Sequence, residues 1–335
     1  MNEDALKLTI YFGERNRTGR GFVADALTDV YERHRLQTSV LLRGAAGYGS
    51  KQHLRTDRQL SLSEDLPVVS VAVDTRERIE RALEDVAPLR FDGLVTTERA
   101  RLLTAPLDSG PLGGETKLTV YLGRQERVDG RPAYRAVVDR LHAAGIAGAT
   151  VLLGVDGTAH GARQRARFFA RNAEVPLMVI SVGDGERIAP ALDDLERMLA
   201  RPLVTLERVR VLKRDGKRFG APAADGPLQK LMIYAGEQAQ HEGRPLYSQI
   251  LRRLRAAGAA GATSLRGIWG YHGGHAPHGD TLWQLRRRVP VLTVVVDAPE
   301  RAARWFEIVD ELTAETGLVT SETVPAAPSF SGADA

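Results

Sequence analysis

Three histidines at a regular spacing, His272, His275 and His278, follow the run Trp269-Gly270-Tyr271 in the last third of the chain. Neutral imidazoles are good ligands for zinc, copper or nickel, so this His-x-x-His-x-x-His segment is a candidate metal site, with Asp280 as its one nearby carboxylate. A different chemistry is suggested by three glycine-rich segments, each followed by cations. Arg43 to Gly49 (RGAAGYG) precedes Lys51 and Arg55, and Gly154 to Gly157 (GVDG) precedes Arg163, Arg165 and Arg167. Arg266 to Tyr271 (RGIWGY) precedes Arg286, Arg287 and Arg288. Glycines let backbone N–H groups come close to an anion, and neighbouring cations hold its charge. The candidate ligand-binding residues are therefore Arg43, Gly44, Gly47, Tyr48, Gly49, Lys51, Gly154, Gly157, Arg266, Gly267, Gly270 and Tyr271. A solvated loop whose arginines serve solubility has the same composition. Units one and two, defined below, each carry a single histidine in this region, His53 and His160, so the histidine cluster is peculiar to one copy.

Other reactive constellations are absent. The sequence has no Gly-x-Ser-x-Gly elbow, no phosphate-binding P-loop and no paired metal-binding carboxylates. It has no cysteine, which excludes disulfides, thiolate catalysis and cysteine-type zinc sites and fits a reducing compartment. Glutamates recur at Glu98, Glu207 and Glu322, and again at Glu14, Glu126 and Glu237. These are read as surface salt-bridge partners. The expectation is a protein that is not an enzyme. A net charge of +4, from 46 basic and 42 acidic residues, is a small excess without a clustered stripe, so nucleic acid is not an expected partner. Met1 to Leu6 is acidic and lacks the apolar core of a signal peptide, and no run approaches the length of a membrane span. A cytoplasmic location is expected.

The elements that must position these residues come in three copies. Each unit opens on an alternating apolar run ending in Tyr-x-Gly, with Tyr11, Tyr121 and Tyr234 spaced by 110 and 113 residues. A later apolar run begins at Pro67, Pro176 or Pro290, and each unit closes on Leu-Val-Thr-x-Glu, at Leu94, Leu203 and Leu318. Between these landmarks the pattern switches from period 2 to period 3.6 and back, as strands alternating with helices do. In units two and three, Pro132 and Pro245 suit the first turn of a helix, and Gly145 and Gly258 suit its left-handed cap. Unit one keeps helical spacing through Val23, Leu27, Val30 and Tyr31. Second helices are expected over Arg76–Val86, Glu186–Leu199 and Pro299–Thr313, with Asp74 and Asp297 as N-caps. The element order is β-α-β-β-α-β, which is the ferredoxin-like arrangement and an α+β fold. The expected domains are residues 5–104, 116–212 and 228–325, with linkers at Thr104–Thr116 and Lys213–Pro227 and a disordered tail over 326–335. About 22 residues separate the glycine closing strand two from the proline opening strand three in every unit, far more than a hairpin of ~2 to 5 needs. A long connection kept three times points to a shared purpose.

The strings Gly243-Arg-Pro-Leu-Tyr247, Ala260-Gly-Ala-Thr263, Leu265-Arg-Gly-Ile-Trp-Gly-Tyr271 and Leu62-Ser-Glu-Asp-Leu-Pro-Val-Val69 resemble the PII-like proteins of the domain-of-unknown-function 190 family. The likeness covers all three units. It implies three tandem ferredoxin-like, PII-like domains forming an intramolecular pseudo-trimer, so that a monomer suffices and the three clefts need not be alike. It implies a non-catalytic signalling protein that senses a small anionic metabolite, with an adenine nucleotide as candidate, in clefts between repeats. The long loops would then stand where PII proteins carry the T-loop that contacts a partner, and Arg43 to Gln52 is similar to its root. The turns before the last strand, such as Arg90 to Gly93, depart from PII proteins in lacking their phosphate-gripping lysines. Family associations suggest a membrane channel or transporter as the protein partner. The alternative is a metal-binding or metal-tolerance protein that uses His272, His275 and His278.

Overall fold

The computed structural model describes residues 3–19, 21–49, 51–57, 65–159, 162–163, 175–273, 275–279 and 289–327. Repeat 1 contains β1 (Glu3–Gly13), α1 (Val23–Arg33), β2 (Thr38–Arg43), β3 (Ala46–Tyr48), β4 (Arg55–Thr56), β5 (Pro67–Thr75), α2 (Arg76–Val86) and β6 (Gly93–Thr104). Repeat 2 contains β7 (Glu115–Gly123), α3 (Ala133–Ala143), β8 (Gly148–Leu153), β9 (Asp156–Ala159), β10 (Ala162–Arg163), β11 (Pro176–Asp184), α4 (Gly185–Met198), β12 (Leu203–Arg208), β13 (Arg210–Arg214) and β14 (Lys217–Arg218). Repeat 3 contains β15 (Gln229–Gly236), α5 (Leu246–Ala256), β16 (Ala262–Arg266), β17 (Trp269–His272), β18 (His278–Gly279), β19 (Pro290–Asp297), α6 (Pro299–Leu312) and β20 (Leu318–Thr323).

Each repeat is a four-stranded antiparallel sheet, in the orders β2-β5-β1-β6, β8-β11-β7-β12 and β16-β19-β15-β20. Its two helices cover one face. The helices bury period-3.6 stripes such as Val23, Ala26, Leu27, Val30 and Tyr31 of α1 against Leu6, Leu8, Ile10 and Phe12 of β1. Strand residues of the opposite parity, among them Ala5 and Tyr11, join a fourth core assembled from all three repeats. Both faces of the central strands are therefore buried, which accounts for their nearly unbroken apolar runs. Gly145 and Gly258 follow α3 and α5 with φ of +70° and +91°, a conformation that glycine reaches without strain.

Two cyclic exchanges tie the repeats together. In the first, a short strand at the root of each long loop pairs with the edge strand of another repeat. β3 of repeat 1 pairs with β16 of repeat 3, β17 of repeat 3 with β8 of repeat 2, and β9 of repeat 2 with β2 of repeat 1. In the second, the segment after each last strand pairs with the next repeat's last strand. The end of β6 lies on β12, β13 lies on β20, and the chain after β20 returns to β6 through Thr97 N–H to Pro325 O and Ala327 N–H to Val95 O. The exchanges run in opposite senses and each closes a ring.

Several expectations need correction. The stretch from Lys213 begins inside β13, where Lys213 and Arg214 pair with Val319 and Leu318 of β20. In the Thr104–Thr116 stretch, Leu107 and Ser109 are buried, and Leu107 N–H donates to Glu196. Ala326 and Ala327 of the expected tail bridge to β6, and Ala327 joins the core of repeat 1, while 328–335 lie outside the described residues. Asp74 and Asp297 do not cap their helices, because each accepts from the N–H of the very next residue and its other oxygen goes to Gln37 N–H or to the indole of Trp305. The side chain that caps is Asp184, which accepts from Glu186 N–H at the start of α4. Pro132 and Pro245 sit at the N-cap, one residue ahead of the first helical turn.

Candidate functional site

The loop-root glycines meet protein backbone at these junctions. A Cβ on Gly47 would lie 2.6 Å from Ala262 O, one on Gly157 2.1 Å from Ser39 O, and one on Gly270 2.2 Å from Ala149 O. All three oxygens belong to the neighbouring repeat's edge strand. Gly44, Gly154 and Gly267 each press on the proline that opens the third strand and donate their N–H to its carbonyl. Gly47, Gly157 and Gly270 thus permit the close approach of one repeat's backbone to another, and Gly44, Gly154 and Gly267 the turn of each loop root onto its own third strand. The arginines have partners too. Arg43 makes a two-pronged contact with Glu14, at 2.8 and 3.0 Å. Arg266 binds Glu237 at 3.0 Å and also Asp57 of repeat 1. In repeat 2 the two positions change together, to Arg124 and Leu153, and Glu126 accepts from Gly123 N–H instead.

Tyr48 and Tyr271 occupy equivalent sites and plug into different neighbours. Tyr271 packs in the core of repeat 2, donates its hydroxyl to Ile146 O at 2.8 Å and meets the His142 ring edge-on. Tyr48 packs in the core of repeat 3, where the matching carbonyl, Ala259 O, is taken by the side chain of Gln52 at 2.9 Å. The Tyr48 hydroxyl is left buried with no partner.

Beside it opens a cleft of about 390 Å³ between repeats 1 and 3. Repeat 1 contributes the end of β1 (Tyr11 to Gly13), the loop residues Gly47 to Gly49, Lys51, His53 and Arg55, and the turn Asp92 to Leu94. Repeat 3 contributes Leu228, Ala260 to Thr263, Val294, Val296 and Asp297. The floor is apolar and the mouth is charged. Arg55 is paired with Asp65 at 2.6 Å, and the largely exposed Lys51 lies 3.8 Å from Asp92. Of the expected ligand residues, this cleft gathers Gly47, Tyr48, Gly49 and Lys51. It brings in Arg55, His53, Asn16 and Asp92, which sequence spacing did not single out as a set.

The equivalent space between repeats 2 and 3 is about 50 Å³ and is lined by Tyr234, Tyr271, His272, His278, Arg214 and Asp215, among others. Arg214, brought in by β13, pairs there with Glu115 at 3.3 Å, where the wider cleft has Leu228. Gly154 and Gly157 lie at the junction of repeats 2 and 1, where Val155 N–H donates to Leu41 O. Side chains of Arg163, Arg165, Arg167 and Arg286 to Arg288, with His160 and Asp280, lie outside the described residues.

On the axis where the three sheets meet, Lys7, Lys117 and Lys230 alternate with Glu98, Glu207 and Glu322 in a closed ring. Lys7 bonds Glu207 (2.5 Å) and Glu98 (2.9 Å), Lys117 bonds Glu207 and Glu322 (2.5 Å), and Lys230 bonds Glu322 (3.1 Å) and Glu98 (2.6 Å). All six side chains are buried, so the recurring glutamates of the closing strands are not surface partners as expected. Burial opposes every charge in the ring, yet neighbouring carboxylates hold the Lys7, Lys117 and Lys230 ammonium groups above the ordinary lysine value. The ammoniums in turn hold Glu98 well below, and Glu322 below, the usual carboxylate range against the effect of burial. Burial pushes the adjacent Tyr121 phenol up to about 12. The three carboxylates come within 4.8 Å of one another, as metal ligands would, but three ammoniums already neutralise them. Sequence reading missed the lysines although they recur four residues before each Tyr-x-Gly tyrosine.

Comparison with known proteins gives one family. The model described as "DUF190: Uncharacterized ACR" matches three times, at residues 5–102, 115–211 and 228–326. A UPF0166 protein of Aquifex aeolicus (strain VF5) is 34% identical over 68 residues, which is 20% of this chain and 64% of that protein. Among solved structures, the aspartate kinase from Synechocystis aligns with 96% of this chain and 44% of its own, at 12% identity and a TM-score of 0.26, too low to carry any argument.

Proposed function

The chain belongs to the DUF190 family, and from that premise we propose that it is a non-catalytic, PII-like regulatory protein. In this reading its three ferredoxin-like repeats form an intramolecular pseudo-trimer that binds a small anionic metabolite between repeats 1 and 3. The observation that carries it is the cleft of about 390 Å³, within the usual size of a small-molecule site, with Tyr48 and the loop cations Lys51 and Arg55 in its lining.

An anionic ligand would compete with Asp65 and Asp92 for those cations. Arg55 and Asp65, which pair with each other, flank the connection between β4 and β5. Drawing Arg55 to a ligand therefore releases one tether and supplies another, and the loop's affinity for a partner changes with occupancy. Burial of the ligand's flat or apolar part against Leu94, Leu228, Val294 and Val296 would supply affinity, and an adenine nucleotide has that shape and charge. A partner contacted by the loops, such as a membrane channel or transporter, would read the change from the cytoplasmic side. No helix of the described chain is long and apolar enough to cross a membrane itself.

The test is thermal unfolding, with chelator present, against adenine nucleotides, cyclic nucleotides and simple anions. A ligand at ~100 times its dissociation constant adds ~2.7 kcal/mol to the folded state. The expected result is a shift with one ligand class that Arg55→Gln and Lys51→Gln together remove. No shift across the panel, or a shift that survives both substitutions, would reject the site.

A further inference from the structure

The cleft between repeats 2 and 3 has diverged from its counterpart at three positions that matter chemically. Where repeat 1 places Gly49, Gln52 and Arg55, repeat 3 places His272, His275 and His278. We infer that these three imidazoles form a binding site for one borderline divalent cation, zinc or copper, at the mouth of this second cleft. The inference is independent of the metabolite reading.

Strand pairing places two of the three rings, and a hydrogen-bonded turn the third. His272 ends β17 and is registered opposite Gly148 of repeat 2 by the β8–β17 ladder. His278 is registered opposite Gly270 by the β17–β18 ladder, two residues before His272 and so on the same face of the strand. Between them a tight turn carries His275 back over His272. Gly273 has φ of +57° and donates its N–H to Ala147 O of repeat 2 at 2.7 Å, and His275 N–H returns to His272 O. The ring centres are 5.0 Å apart for His272 and His275, and 6.4 Å for His272 and His278. Two imidazoles on one tetrahedral ion, with metal–nitrogen bonds of about 2.0–2.1 Å, have centres about 5 Å apart, which His272 and His275 already match, and the His278 ring has to swing inward to join them.

One proton is already in the right place. His278 Nδ1 lies 2.9 Å from Ala276 O, and a carbonyl only accepts. The proton of the neutral ring must then sit on Nδ1, which leaves the Nε2 lone pair free for a metal, as backbone carbonyls do for ligating histidines elsewhere. Imidazole donors favour zinc, copper and nickel over magnesium or calcium, and three of them leave coordination open on the cleft side for water or an anion.

The experiment uses the full chain stripped with chelator and titrated with zinc chloride and copper(II) chloride by calorimetry, with copper EPR to count bound nitrogens. The expected result is one ion per chain, a three-nitrogen copper spectrum, and affinity weakened at least about tenfold by His278→Ala or by the exposed His275→Ala. His53→Ala and His241→Ala should bind as the parent does, and metal-free melting temperatures should not change. Absence of bound ion, binding that persists in a His272→Ala/His275→Ala double variant, or an unchanged nitrogen count in His275→Ala would overturn it.

Discussion

Replacing Lys117 with methionine keeps much of the side chain's length and volume and deletes a single charge from the axial ring. Lys117 joins Glu207 to Glu322, and its ammonium is 3.9 Å from Glu98. Without it Glu207 and Glu322 each keep one lysine, and their nearest oxygens stay within 4.8 Å of each other. Two unit charges at that distance repel by about 3–4 kcal/mol at an effective dielectric constant near 20. Breaking a buried pair from one side typically costs about 3–5 kcal/mol, so the two routes agree. The strain is relieved when one carboxylate takes a proton, so the loss should shrink as pH falls from 8 to 5. Replacing all six members with apolar residues of similar volume leaves no orphaned charge, and should be near neutral or stabilising by about 1–4 kcal/mol. Guanidinium unfolding of the three proteins at pH 5, 6.5 and 8 reads these differences. A Lys117→Met loss below about 1 kcal/mol, the range of an exposed pair, or one independent of pH, would refute the account of a closed and buried ring.

Four further outcomes are expected. Gly270→Ala, whose new methyl would meet Ala149 O, should cost at least about 2 kcal/mol and speed hydrogen exchange in β17, whereas Gly49→Ala, with nothing within 4 Å, should be close to neutral. Arg43→Gln removes a half-exposed pair with Glu14 and should change stability by no more than about 1 kcal/mol, while leaving ligand binding in the wide cleft unaltered by calorimetry. Ending the chain at Thr323 deletes buried Val324 and Ala327 and two backbone bonds to β6, which should cost about 2–4 kcal/mol in urea unfolding. Stability against pH should be flat from about 5 to about 10. The raised lysines lend stability that is complete below their unfolded value and is lost as pH climbs through the folded one, and the lowered Glu98 and Glu322 lend stability that is lost as pH falls below the unfolded carboxylate value.

The sequence alone determined whatever depends on near neighbours in the chain. Three recurring landmarks established the repeat, and period 2 against period 3.6 separated strands from helices. Pro67, Pro176 and Pro290 marked strand starts, and Gly145 and Gly258 marked helix ends, because each residue's own backbone limits act within a few positions. Alternation along β1 could say that Lys7, Thr9 and Tyr11 share a face, but not what covers it. That was decided by the meeting of three sheets, which brings Lys7 to a glutamate 200 positions away and turns apparent surface residues into a buried ring. The loop-root glycines were read from the sequence as places where backbone comes close to an anion, and only the assembled repeats reveal that neighbouring backbone lies against Gly47, Gly157 and Gly270. The same holds for the tyrosines. Tyr48 and Tyr271 are the same letter in the same motif, and the difference between a satisfied hydroxyl and a free one lies in Gln52, which reaches across an inter-repeat junction to take Ala259 O first.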